Sequence, residues 1–177
     1  MTKKKQIVIL GCVFACAAAL YAASTIYINH RGEKDDSEYN VTSLTASDIE
    51  KIKYSNSDKT IEFAKGENGW YYVEDKDLEV DQDYINELLS SVCNITSSKK
   101  IESPDSLLDY GLDKPSYTIT LTSSDEQVTE IRIGCETTIF SYYVMVAGDS
   151  SIYTIDNTLM DSLRFEKSSF EAEDEEG

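Results

Sequence analysis

The chain has 177 residues, of which 41% are hydrophobic, enough for one ordinary packed domain and too many for a disordered chain. Its net charge is −17, and none of the 33 acids precedes Glu33, whereas three of the 16 basic residues, Lys3, Lys4 and Lys5, already stand ahead of residue 6. A surface this acidic repels phosphate backbones, which excludes nucleic acid as a partner, and it repels anionic lipid headgroups as well.

Residues 1–5 form a short basic tail, and residues 6–29 follow as an uncharged run, QIVILGCVFACAAALYAASTIYIN. As a helix rising ~1.5 Å per residue, this run is long enough to cross a ~30 Å hydrocarbon core. Tyr21 and Tyr27 lie toward its outer end, where aromatic rings favour the interface. Three lysines precede the run, whereas Arg31 and Lys34 after it are mixed with Glu33, Asp35 and Asp36, so the positive-inside rule places the N-terminus in the cytoplasm and the rest outside the cell membrane as a single-pass protein. Two other readings of the run stay open. The alanines at 17–19 and 22–23 offer a signal-peptide cleavage site. The string Val13-Phe14-Ala15-Cys16 resembles a bacterial lipobox that would lipidate Cys16. All three deliver the domain to the same side.

Residues 30–40 are polar and aperiodic and read as a stalk. The domain is expected over 41–165, and the acidic residues 166–177 read as a disordered tail. Within the domain a unit recurs. Ile52 to Asp58 aligns with Ile119 to Asp125, Glu62-Phe63 with Glu130-Ile131, Gly66 with Gly134, Tyr71-Tyr72-Val73 with Tyr142-Tyr143-Val144, and Val80-Asp81 with Ile155-Asp156.

In repeat one, residues 49–95, strands are predicted over 49–55, 59–65 and 70–73, separated by the turn chemistry of Asn56-Ser57-Asp58 and of Gly66 and Gly69. A helix follows, capped by Asp81, with Val80 stapling to Ile85 and with Ile85, Leu88, Leu89, Val92 and Cys93 on one face. In the connection, Ser103, Pro104, Gly111 and Pro115 are start and stop signals for a short helix. Repeat two, residues 116–165, predicts strands over 116–122, 128–134, 141–146 and 151–155, then a helix capped by Asp156. The expected fold class is α+β: an N-terminal transmembrane helix, then a mostly antiparallel sheet of two βββα-like repeats with helices packed on it.

Tyr110-Gly111-Leu112-Asp113 followed by Pro115, together with Gly69-Trp70-Tyr71, Val80-Asp81 opening a helix, and Ile133-Gly134 before Tyr142-Tyr143-Val144, resemble the bacterial family called domain of unknown function 4340 over roughly residues 41–165. That resemblance implies an envelope accessory protein with one N-terminal membrane segment. Some members are encoded beside ABC-transporter components of the type linked to gliding motility. It supplies no catalytic residues.

The residues themselves suggest little chemistry. The single histidine, His30, lies in the stalk, so neither a Ser-His-Asp nor a Cys-His system can be assembled in the domain, and we expect no enzyme and no cofactor. Asp75, Asp77 and Glu79 alternate like the ligands of a calcium loop, but Val80 stands where that loop needs glycine and Asn86 where its bidentate glutamate belongs; they are weak metal candidates beside a plain solvated turn. Cys93 and Cys135 both fall at core-facing spacing and read as buried thiols, with a disulfide as the alternative. Trp70, Tyr72, Tyr142 and Tyr143 are the candidate binding surface. Alternation puts one ring of each set on the face opposite its neighbour, where a protein or sugar would find a sticky patch if that face is open. The function expected is a membrane-anchored binding or scaffolding module for an envelope partner; the alternative is a receptor for a cell-wall sugar or a cation.

Overall fold

The computed structural model describes residues 38–172. The anchor over 6–29, the lipidation reading at Cys16, His30 and residues 173–177 lie outside these, and among the described residues no helix is long and apolar enough to cross a membrane.

Apolar residues at every second position account for most of the strands. In chain order these are β1 (Tyr39–Asn40), β2 (Ile49–Ser55), β3 (Thr60–Gly66) and β4 (Gly69–Tyr72), followed by helix α1 (Gln82–Cys93). Then come β5 (Thr96–Ser97), β6 (Lys100–Ile101), β7 (Tyr117–Ser123), β8 (Val128–Glu136), β9 (Tyr142–Val146), β10 (Ile152–Ile155) and a five-residue helix α2 (Thr158–Ser162). Eight strands form one sheet in the order β4-β3-β2-β7-β8-β9-β10-β6, every neighbouring pair antiparallel; β1 and β5 make a separate two-stranded ladder. The fold is therefore a mostly antiparallel sheet with few helices, of the α+β kind.

The central pairing has a symmetrical register. Lys53 faces Thr120, Ile52 faces Leu121 and Tyr54 faces Ile119. On either side, Ile52 faces Phe63 and Ile119 faces Ile131. The correspondence drifts in the third strands: Phe63 faces Tyr72, whereas Ile131 faces Val146, so Tyr72 answers Val146 and not Tyr143. The reason is a longer hairpin: 15 residues separate Ile131 from Val146 against 9 between Phe63 and Tyr72, and the register shift between Ile133 and Glu136 supplies one of the extra residues.

One sheet face carries the core. Ile52, Tyr54, Phe63, Ile119, Leu121, Ile131 and Ile133 are at most 1% exposed and pack with Ile85, Leu88 and Val92 of α1 in one cluster. Helix α1 starts where the sequence predicts, the Asp81 carboxylate accepting from the Asp83 and Tyr84 amides at 3.0 and 3.1 Å. The Asp156 carboxylate makes a shorter version, accepting from the Thr158 amide at 2.9 Å, but Asn157 is the residue flanking α2 and makes no side-chain cap.

Three expectations are corrected. The connection at 103–115 forms only a 3-10 turn, Leu108–Tyr110, because Gly111 turns left-handed (φ 67°) directly after it. Cys135 is exposed and free, because the register shift in β8 rotates it out of the alternation that buries Ile133; Cys93 is buried and free, and burial pushes its thiol up. The domain also continues past Phe165. Phe170 is fully buried against Phe63 and Tyr72, Glu171 bridges to Val80, and the Ala172 amide donates to the Glu79 carbonyl at 2.8 Å.

Candidate functional site

The four aromatic candidates do not assemble into one surface. Trp70 (9% exposed) and Tyr72 (2%) face the core from β4, so neither presents a ring outward; Tyr71 between them does. Burial, reinforced by a hydrogen bond from the Tyr72 hydroxyl to the Glu74 carboxylate, pushes that phenol up to about 12. Tyr142 packs against the main core from the inner face of β9, where burial and the Glu136 charge raise its phenol. Tyr143 points to the other face, edge-on to Tyr110 with ring centroids 4.9 Å apart.

On that outer face, one half is covered. Residues 103–115 cross it and bury Leu112 with Met145 and Ile152, flanked by Leu107, Tyr110, Tyr143 and Ile101. The crossing is backbone on backbone. A Cβ on Gly134 would lie 2.0 Å from the Tyr110 carbonyl oxygen, and one on Gly111 would lie 2.8 Å from the Cys135 amide nitrogen. The two glycines are what allow the Tyr-Gly-Leu-Asp segment to lie on β8 at all.

The other half of the outer face, over β3, β2, β7 and β8, is open. Lys51 and Lys53 are exposed, and Glu62, Thr118, Thr120, Thr122, Glu130 and Arg132 are half-buried. Only Glu130 and Arg132 among these are paired with each other, at 2.7 Å. Within a chain of net charge −17, this strip carries three cations, Lys51, Lys53 and Arg132, against two acids, Glu62 and Glu130.

The β4 edge is closed. On β4 the Gln82 side chain accepts from the Trp70 amide at 2.8 Å and donates to the Trp70 carbonyl at 2.9 Å, standing in for a residue of a further strand. On β10, past the end of β6, Ser97 Oγ accepts from the Thr154 amide at 3.2 Å and donates to the Thr154 carbonyl at 2.8 Å. A shallow depression of 470 Å³ at the β3–β4 hairpin is lined by Trp70, Tyr71, Lys76, Glu79 and Gln82 among others, with the Lys76 ammonium 5.1 Å from the Tyr71 ring centre.

The acidic candidates do not converge. Asp75 pairs with Lys167 at 3.1 Å, Asp77 and Glu79 are exposed, and among the described residues no group of three such side chains is placed to hold a metal ion.

Two features were missed by sequence reasoning. The first is a buried polar network. Tyr54 and Tyr84 hydroxyls lie 3.0 Å apart, Tyr54 donates to the Arg164 carbonyl at 2.5 Å, and the Arg164 amide donates to the Tyr84 oxygen at 3.2 Å. Burial, then the neighbouring Tyr84, holds the Tyr54 phenol well above its ordinary range. No sequence signal pairs residues so far apart. The second is the β8–β9 hairpin tip, where Ile139 and Phe140 are 76% and 78% exposed. Its signal was available: two large apolar residues where a turn ordinarily has polar ones.

Neither a curated protein nor a solved structure matches the chain. Residues 70–174 match the family described as Domain of unknown function (DUF4340). The match begins in β4 and runs beyond Phe165, taking in the segment that buries Phe170. It contains both glycines of the crossing, and with more than half of its length matched the chain belongs to the DUF4340 family.

Proposed function

We propose that the protein is a membrane-anchored, extracytoplasmic binding or scaffolding module, non-catalytic and accessory to a transporter or other envelope complex. Residues 6–29 act as the bilayer anchor, with Lys3, Lys4 and Lys5 on the cytoplasmic side. The observation that carries the docking part is the open strip of β3, β2, β7 and β8, where exposed lysines and half-buried threonines interrupt an otherwise acidic surface. A flat strip of short hydroxyls and alternating charges fits a protein surface, and tethering raises local concentration so that a weak contact suffices. We also read the sheet as two copies of one strand-strand-strand-helix unit, 49–95 and 116–165; the symmetrical register about Lys53 and Thr120 supports this.

A second reading is an extracytoplasmic receptor for a cell-wall sugar or a cation. It is favoured by the 470 Å³ depression, where the Tyr71 ring adjoins Lys76, Glu79 and Gln82.

Photo-crosslinking in native membranes separates the two. A crosslinker at Lys53 should yield one discrete protein adduct, and one at Asp83 on the helical side should not. Recovery of the protein without any adduct from Lys53, together with protection of the Tyr71 region by saccharide, would replace the first reading with the second. A tag after Gly177 that is inaccessible from outside intact cells would refute both.

A further inference from the structure

Other turns of the sheet carry the residues that turns require: Asn56-Ser57-Asp58, Glu67-Asn68, Ser124-Asp125-Glu126 and Gly148-Asp149-Ser150. The turn joining β8 to β9 carries Ile139 and Phe140 instead. Both are more than three-quarters exposed, and Phe140 has φ 58°, a left-handed conformation that bulky side chains rarely adopt. The bend is held firmly all the same. The Thr137 amide donates to the Ser141 carbonyl at 2.6 Å, Thr137 Oγ1 accepts from the Ile139 and Ser141 amides at 3.3 and 3.2 Å, and the Phe140 amide donates to the Thr137 carbonyl at 3.3 Å. A rigid turn therefore holds two apolar side chains out in water, and neither is needed to make it.

The place where the chain enters the domain gives this tip a neighbour. In the antiparallel ladder of β1 and β5, Tyr39 faces Ser97, so Glu38 lies beside Ser98. Ser98 lines a 300 Å³ groove with Ser97 and Lys99, and Ile139 and Ser141 line the same groove. The N-terminal end of the domain and the apolar tip thus share one end. Val128, also exposed, lies at the other end of β8, ~27 Å away for a strand of this length.

We infer that the Ile139–Phe140 tip seats in the interfacial layer of a zwitterionic lipid surface. This rests on the membrane anchoring proposed above. Residues 30–37 separate the apolar run from Glu38 and reach at most roughly 30 Å when fully extended, which keeps the entry end of the domain near the bilayer. Two apolar side chains bury too little area to hold a free protein on lipid, but a tethered one needs only a bias in orientation. The domain's acidity disfavours anionic headgroups, which points to a neutral surface. Seating the tip leaves the far end of β8 turned away from the bilayer.

The test uses the full chain in phosphatidylcholine vesicles carrying doxyl-labelled lipid, with Phe140→Trp and Val128→Trp compared against the unsubstituted protein. Buried Trp70 contributes the same background to all three. The F140W signal should shift to the blue and be quenched by the labelled lipid, and the V128W signal should remain that of a wet side chain. Flotation with the vesicles reads the anchor separately. A protein that floats but shows no more quenching at F140W than at V128W overturns this inference and leaves the anchoring intact; equal quenching at both sites does the same, because it means no preferred orientation. A protein that does not float overturns the anchoring and this inference with it.

Discussion

Replacing Phe170 with alanine tests whether the segment around it belongs to the core. The ring is fully buried, edge-on to Phe63 at 5.1 Å and inclined to Tyr72 at 5.3 Å. Removing a buried phenylalanine costs about 3–5 kcal/mol through lost transfer energy and the cavity left behind. The site has little freedom to collapse, because the Phe170 carbonyl accepts from the Asp81 amide at 3.0 Å and Glu171 bridges to Val80, which pins the segment at the start of α1. We therefore expect the upper part of that range, against a total stability of about 5–15 kcal/mol for a domain. At about 3–5 °C per kcal/mol for this size, Tm falls by ~12–25 °C. The assay is thermal unfolding of the full chain in detergent, followed by near-ultraviolet circular dichroism. Phe140→Ala is the matched control: the same residue type, 78% exposed, expected to shift stability by no more than about 0.5 kcal/mol. If F170A melts together with F140A, the segment is not part of the core and the reasoning fails.

Gly134→Ala forces a Cβ to 2.0 Å from the Tyr110 carbonyl, so the connection must lift off β8; a loss of about 1–3 kcal/mol is expected, with faster proteolysis at 103–115 as the readout. Gln82→Ala strips both backbone partners from Trp70 at the sheet edge; it should destabilise by about 1–3 kcal/mol and produce concentration-dependent association in sedimentation velocity, and a monomer at all concentrations would show the edge needs no seal. Tyr54 is held protonated in the fold, above the usual phenol value of about 10, so its contribution is fully present below that pH and is lost as pH rises beyond it. Tyr54→Phe leaves the Arg164 carbonyl without its donor, lowers stability by about 1–3 kcal/mol near neutral pH and flattens the alkaline decline; an unchanged slope in urea titrations above pH 10 would contradict the assignment.

Local patterns were readable where one rule governs. Alternation marked the strands, and Val80-Asp81 marked the start of α1, because burial and capping act over a few neighbouring residues. Elements that depend on distant partners were not readable. The pairs Tyr39–Asn40, Thr96–Ser97 and Lys100–Ile101 become strands only because β5 meets β1 and β6 meets β10. Phe170 stands among acids and serines, and composition alone labels that stretch as tail; a single well-placed ring outweighs the label. Cys135 was misplaced because a bulge changes the parity of everything after it. For the candidate site, alternation told correctly that adjacent rings part ways across the sheet, but it does not say which face is covered, and the open strip results from where the 103–115 connection comes to rest.

The close passage of Tyr110 over Gly134 bears on how kinship should be interpreted. The most distinctive string in the chain turns out to be a fastening, chosen for the absence of atoms rather than for any reactive group. Any chain that preserves it inherits a shape, and is left at liberty to differ wherever the surface is not needed to hold that shape. Recognising a cousin by this string accordingly says how the polypeptide is clasped, and nothing of what it touches.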